Sequence, residues 1–135
     1  MASLNGTWIY ESFRPNSGTP SLVPWARQSK LSVTTDGKGK VAGKLTIPLP
    51  PGAPVPELVM AISGSITPAV APQIPEGIEL TGTVGESVNN VRGYFIGGPN
   101  PLVVGTVTAV KKDPAGLPDG TNGPFVLFPG AEPLL

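Results

Sequence analysis

Leu4-Asn5-Gly6-Thr7-Trp8-Ile9-Tyr10-Glu11-Ser12-Phe13 is the stretch on which the reading of the fold turns. In an extended strand successive side chains point to opposite faces. Leu4, Gly6, Trp8 and Tyr10 then share one face, and Thr7, Ile9, Glu11 and Phe13 share the other. Its centre, Gly6-Thr7-Trp8, is a glycine, a polar residue and an apolar one. A glycine, a mostly polar residue and an apolar one return as Gly43-Lys44-Leu45, Gly64-Ser65-Ile66, Gly82-Thr83-Val84, Gly93-Tyr94-Phe95 and Gly105-Thr106-Val107. Each copy lies in a segment that alternates or is rich in β-branched residues, which is the pattern of a strand.

Outward from this unit the chain divides into eight predicted strands: Leu4 to Phe13, Gln28 to Thr35, Lys40 to Ile47, Glu57 to Thr67, Gly77 to Gly85, Val91 to Ile96, Leu102 to Val110 and Pro124 to Phe128. Arg14 to Pro20 breaks the first strand, and Ser21 to Ala26 reads as a loop holding Trp25. Asp36-Gly37 between two alternating runs is a hairpin signal. Pro48 to Pro56 is too rich in proline to donate to a ladder and reads as an extended, polyproline-like loop. Pro68 to Pro75, Glu86 to Asn90 and Gly97 to Pro101 read as turns, Lys111 to Gly123 as a long polar loop, and Pro129 to Leu135 as a tail.

No segment carries a stripe with the helical period. Strands joined in succession by short links predict an all-β fold, an eight-stranded antiparallel up-and-down β-barrel in a single domain, 1–135, with strand eight closing onto strand one to remove the exposed edges. Glycine weakens a strand by roughly 0.5 to 1 kcal/mol relative to alanine, so its repeated use in phase with the apolar set points to tight curvature or to room inside a small barrel. Bends in a packed β-sandwich are the alternative.

Composition narrows the chemistry. Eighteen glycines and eighteen prolines in 135 residues suit many short strands joined by turns. Nine basic residues balance nine acidic ones without a basic patch, which argues against a nucleic-acid partner. The absence of cysteine and histidine removes disulfides, thiol nucleophiles and the commonest metal ligands. No metal or cofactor is expected. No apolar run reaches the roughly 18 residues that span a bilayer, and Met1 to Asn5 is not a signal peptide. A soluble protein without a membrane partner is the expectation, cytoplasmic by default, with export as the alternative. Asn5-Gly6-Thr7 matches a glycosylation sequon but reads as strand sequence.

Gly6-Thr7-Trp8, the strand Lys30-Leu31-Ser32-Val33-Thr34-Thr35, the turn Asp36-Gly37 and Gly43-Lys44-Leu45 together resemble the opening of the avidin and streptavidin group of barrels, over Leu4 to Ile47. Gly-x-Trp openings also occur among the lipocalin-like, or calycin, barrels. The resemblance implies the barrel fold. It does not carry biotin binding: Tyr10 stands where that family places asparagine, Leu45 where it places an aromatic residue, and its later tryptophans have no counterpart.

An eight-stranded barrel is either filled by side chains or holds one small ligand. Trp8, Tyr10, Phe95 and Phe125 form a candidate ligand-binding set for a flat, apolar or aromatic molecule, with the Tyr10 hydroxyl orienting it; the same residues also suit a filled core. Trp25 suits a lid over the barrel mouth or an oligomer contact. For catalysis the candidates are Tyr10, Glu11, Arg14, Glu79, Arg92 and Tyr94, with Glu79 and Arg92 placed to pair across adjacent strands. The expectation is a barrel that binds an apolar or aromatic small molecule as a homo-oligomer. The alternatives are a cofactor-free barrel enzyme such as a cyclase or isomerase, and an interaction module presenting its proline-rich loops. The homo-oligomer follows from strands apolar on both faces: Val103, Gly105, Val107 and Ala109 oppose Val104, Thr106, Thr108 and Val110.

Overall fold

Side chains alternate between inside and outside along the strands of a closed barrel. The computed structural model of the chain describes residues 4–16, 18, 20–96 and 102–130. Its strands are β1 (Gly6–Pro15), β2 (Leu22–Thr35), β3 (Lys40–Pro48), β4 (Glu57–Thr67), β5 (Gly77–Val84), β6 (Ser87–Ile96), β7 (Leu102–Lys111) and β8 (Asn122–Pro129). Each pairs antiparallel with the next, and β8 returns to β1 from Trp8 opposite Pro129 to Ser12 opposite Phe125. The expected eight-stranded antiparallel up-and-down barrel, compatible with a calycin-like fold, is therefore present, and the sandwich is not. The expected turn at Gly97 to Pro101 and the tail beyond Gly130 lie outside the described residues.

The inward set is the apolar phase of every strand but β6: Trp8 and Tyr10, Leu31 and Val33, Val41 and Leu45, Met60, Ile62 and Ile66, Ile78 and Leu80, Val103 and Val107, Phe125 and Leu127, all buried. Burying one such side chain contributes roughly 1.5 to 3 kcal/mol, so this single interior holds the wall together. Where β6 meets β7, Gly93 stands opposite Gly105. A Cβ on Gly105 would stand 1.9 Å from the Arg92 carbonyl oxygen. The repeated glycine answers to close backbone approach at Gly105, as at Gly43, Gly64 and Gly93, but not at Gly6 or Gly82.

The predicted Asp36-Gly37 hairpin forms, with the Asp36 N–H donating to the Lys40 carbonyl at 2.9 Å and Gly39 at φ +84°. The Lys40 and Lys38 backbone N–H groups hold the Asp36 carboxylate below its ordinary pKa.

Four expectations change. First, β1 runs on to Pro15, and Ser21 to Ala26 is not a loop, because β2 begins at Leu22 and pairs with β1 to its end. Two register shifts permit this. Tyr10 faces Ser29 but Ser12 faces Ala26, and Phe13 then faces Pro24, so β2 carries extra residues around Gln28, at φ +50°, and at Trp25. Bulges absorb such residues, add twist and tolerate proline.

Second, Glu86 to Asn90 is not a turn. The turn is the two residues Gly85-Glu86 between the paired Val84 and Ser87, with Gly85 at φ +56°, so β6 starts earlier than Val91. Third, 48–56 is not extended: Ala53 N–H donates to Pro50 at 3.2 Å, Gly52 has φ +93°, and Leu49 N–H donates to Pro56 at 3.0 Å. Proline followed by a left-handed glycine is a type II turn signature, and it folds the loop back on itself. Fourth, β8 extends to Asn122 and Pro129 on either side of the segment expected.

Candidate functional site

The barrel has two different ends. At the end carrying the 36–39 hairpin, Leu4 is fully buried, and the Trp8 indole N–H donates to its carbonyl at 2.9 Å. The Leu4 N–H in turn donates to Thr35 Oγ1 at 3.1 Å. Trp8 with Val33, Val41, Ile66, Ile78 and Val103 plugs this end.

The opposite end holds a cavity of about 150 Å³. Its floor and walls are aliphatic, from Leu31, Leu45, Met60, Ile62, Leu80, Val107 and Leu127. Gly82 makes room: its missing Cβ would meet Ile62 Cδ1 at 3.1 Å and Met60 Cε at 3.4 Å. Tyr10 and Ser12 from β1, Trp25 and Ala26 from β2, Ile47 from the end of β3, Leu49 just beyond it, and Asn89 and Val91 from β6 complete the wall. Across the mouth lies the segment Asp113-Pro114-Ala115.

Two local devices build the mouth. The bulges in β2 bring Trp25 to the cavity, half-buried against the core. Beyond β7, Lys112 takes φ +49°, an uncommon conformation for a residue with a side chain, and Asp113 follows it into the barrel end, 7% exposed. One Asp113 carboxylate oxygen accepts the Ala115 N–H at 2.8 Å. Lys112 is clasped to the β5–β6 turn through an ion pair with Glu86 and a hydrogen bond from the Ser87 hydroxyl to its carbonyl, and Lys112 N–H donates to Asp119 Oδ1 at 3.1 Å.

The polar groups of the cavity are few. Burial pushes the Tyr10 phenol up to about 12, with a hydrogen bond to the Ser12 side chain acting the other way. Tyr10 therefore stays a neutral hydroxyl in the physiological range. Ser12 Oγ also accepts the Ala26 N–H at 3.2 Å. Asn89 Oδ1 is buried without a hydrogen-bond partner. Buried acceptors are normally paired, so an unpaired one in a cavity wall is informative.

Of the residues expected to bind a ligand, Tyr10 and Trp25 line the cavity. Phe125 is buried behind Tyr10, with the two rings 5.8 Å apart and inclined by 28°. Phe95 is packed against the core, and Trp8 belongs to the plug. Among the catalytic candidates other than Tyr10, Glu79 and Arg92 make the expected cross-strand pair at 3.3 Å on the outer wall, both well exposed. Tyr94 is 52% exposed, and Glu11 and Arg14 are half-buried away from the cavity lining.

Asn89 and Asp113 were not singled out by their sequence context. The signal for Asn89 is its phase with Val91, Gly93 and Phe95 once the Gly85-Glu86 turn is recognised; Asp113 has none beyond the turn signal Asp-Pro. Among the described residues no cluster of three or more Asp or Glu side chains is placed to hold a metal, and no helix is long and apolar enough to cross a membrane. No family model matches the chain, and no curated protein matches it in sequence.

Proposed function

We propose that the barrel binds a small apolar or aromatic molecule in its interior. The observation that carries this reading is the contrast between the plugged end and the aliphatic cavity of about 150 Å³ walled by Tyr10 and Trp25 at the other. An apolar cavity of about that size accepts a benzene-sized ring, so one ring fits inside and any substituent leaves through the mouth. The Gly6-Thr7-Trp8 opening and the eight-strand meander support a place among avidin-like or lipocalin-like barrels, and Tyr10 and Leu45 favour a ligand other than biotin. A carrier is favoured over a cofactor-free catalyst because the buried phenol keeps its proton and the remaining catalytic candidates lie off the cavity wall.

The test is a titration with small ring compounds followed by tryptophan fluorescence and melting temperature. The chain has two tryptophans, and only Trp25 lines the cavity. The expected result is a ligand-dependent emission change that survives Trp8→Phe and disappears in Trp25→Phe. A ligand at a hundred times its Kd stabilises the fold by about 2.7 kcal/mol, which raises Tm by several degrees. Product formation after removal of metals and nicotinamides would favour the enzyme instead.

The same reading includes self-assembly. Tyr94 opposite Val104 and Ile96 opposite Leu102 place four exposed apolar side chains side by side on the outer wall of β6 and β7. Contiguous apolar patches are rarely left to water, and a second copy covers them symmetrically without long-range repulsion, the net charge being zero. Light scattering of the wild type should show an oligomer that Val104→Lys splits; a wild-type monomer at micromolar concentration refutes assembly.

A further inference from the structure

Resting on the proposed ligand site, we infer that the molecule it takes is a ring carrying a protonated amine, with the ring in the cavity and the ammonium at the mouth between Asp113 and Asn89. Asn89 and Asp113 place acceptors at this end of the cavity. Asn89 Oδ1 is buried and unpaired. Asp113 is a buried carboxylate, and the ion pairs among the described residues, Arg92 with Glu79 and Lys112 with Glu86, do not include it. One Asp113 oxygen accepts the Ala115 N–H at 2.8 Å, which leaves the carboxylate without a cationic partner among the described ion pairs.

No lysine or arginine is among the described residues lining the cavity. An anionic ligand would therefore lose its hydration beside a like charge, with no cation to offset that loss. A neutral alcohol satisfies Asn89 and gives Asp113 no cationic partner. An ammonium has three donors, enough for both acceptors, and Trp25 lines the same cavity, an aromatic ring of the kind that attracts cations. The cavity volume sets the size of the rest: a single ring on a short chain.

Three probes of one shape separate the possibilities: 2-phenylethylamine, 2-phenylethanol and 3-phenylpropanoate, titrated into the full chain at pH 7 by calorimetry and by Trp25 emission. The expected order is amine, alcohol, carboxylate, with the amine at least tenfold tighter than the alcohol. Asp113→Asn keeps an oxygen for the Ala115 N–H and should abolish the amine's advantage while leaving alcohol binding within about twofold. Asn89→Leu should weaken amine and alcohol alike, and an unchanged Tm shows that each variant is folded. If the alcohol or the carboxylate binds as tightly as the amine, or if Asp113→Asn leaves amine affinity unchanged, the amine assignment is overturned and the ligand site stands. If none of the three binds, and no other ring compound does, both readings fall together.

Discussion

One barrel wall ends in two opposite ways. At the plugged end the inward positions hold a tryptophan and five β-branched residues, and the single indole N–H is satisfied by the Leu4 carbonyl. At the open end the same strands offer Gly82, Ser12 and Ala26 inward, and Asn89 Oδ1 is left unsatisfied. The strand order and pairing are common to both ends, so the difference lies in side-chain volume and polar pairing. A closed sheet provides a container; whether it is a core or a site is decided position by position.

The contrast breaks most visibly at the two tryptophans. Trp8→Ala removes a buried side chain from a packed plug and should destabilise the barrel by about 3 to 5 kcal/mol. Trp25→Ala removes one that is only half-buried beside an existing cavity and should cost less than half as much. Chemical denaturation measures both; equal losses would mean that the two ends are equally structural.

Tyr10 sharpens the comparison through pH. Below pH 10 the phenol is protonated in both the folded and the unfolded chain, and its contribution is intact. Between 10 and 12 the unfolded chain releases the proton while the fold holds it, Tyr10 being pushed up to about 12 by burial, so stability falls as pH rises. Two pH units correspond to about 3 kcal/mol. Urea titrations from pH 9 to 12 should show this loss in the wild type and not in Tyr10→Phe. Exposed Tyr94 is common to both proteins.

The smallest effect is expected at Gly82. A methyl group there meets the flexible ends of Ile62 and Met60, so Gly82→Ala should change stability by less than about 1.5 kcal/mol while weakening ring binding several-fold by narrowing the cavity. Unaltered affinity by calorimetry would move the ligand away from this wall.

Much of the barrel is legible in the sequence because burial on one face imposes a two-residue period. Met60, Ile62 and Ile66, or Val103, Val107 and Ala109, announce their own direction, and all are buried as their phase requires. The first half of β2 does not, since Pro24 interrupts it and the extra residues at Trp25 and around Gln28 throw the alternation out of phase. Tyr10 and Trp25 could be named as aromatic residues with a polar or exposed setting. Asn89 and Asp113 could not. Their burial is created by neighbours distant in the chain: the Gly85-Glu86 turn carries β6 inward, and a left-handed Lys112 sends a loop across the mouth. Local patterning carries no record of either.

The seam between β1 and β8 has a kinetic consequence. Seven of the ladders join strands that are neighbours in sequence, and each can zip from its own turn; the eighth must bring together residues more than a hundred positions apart. Forming such a contact carries a loop-closure entropy that the local hairpins avoid, so the seam is the natural last step of folding and the first place for the closed sheet to breathe. Tyr10 and Leu127 face each other across it, and both line the cavity. A bound ring would therefore act as a latch on the slowest joint of the barrel. Its occupancy would be read in the hydrogen exchange of the β1 and β8 amides as directly as in any signal from the ligand itself.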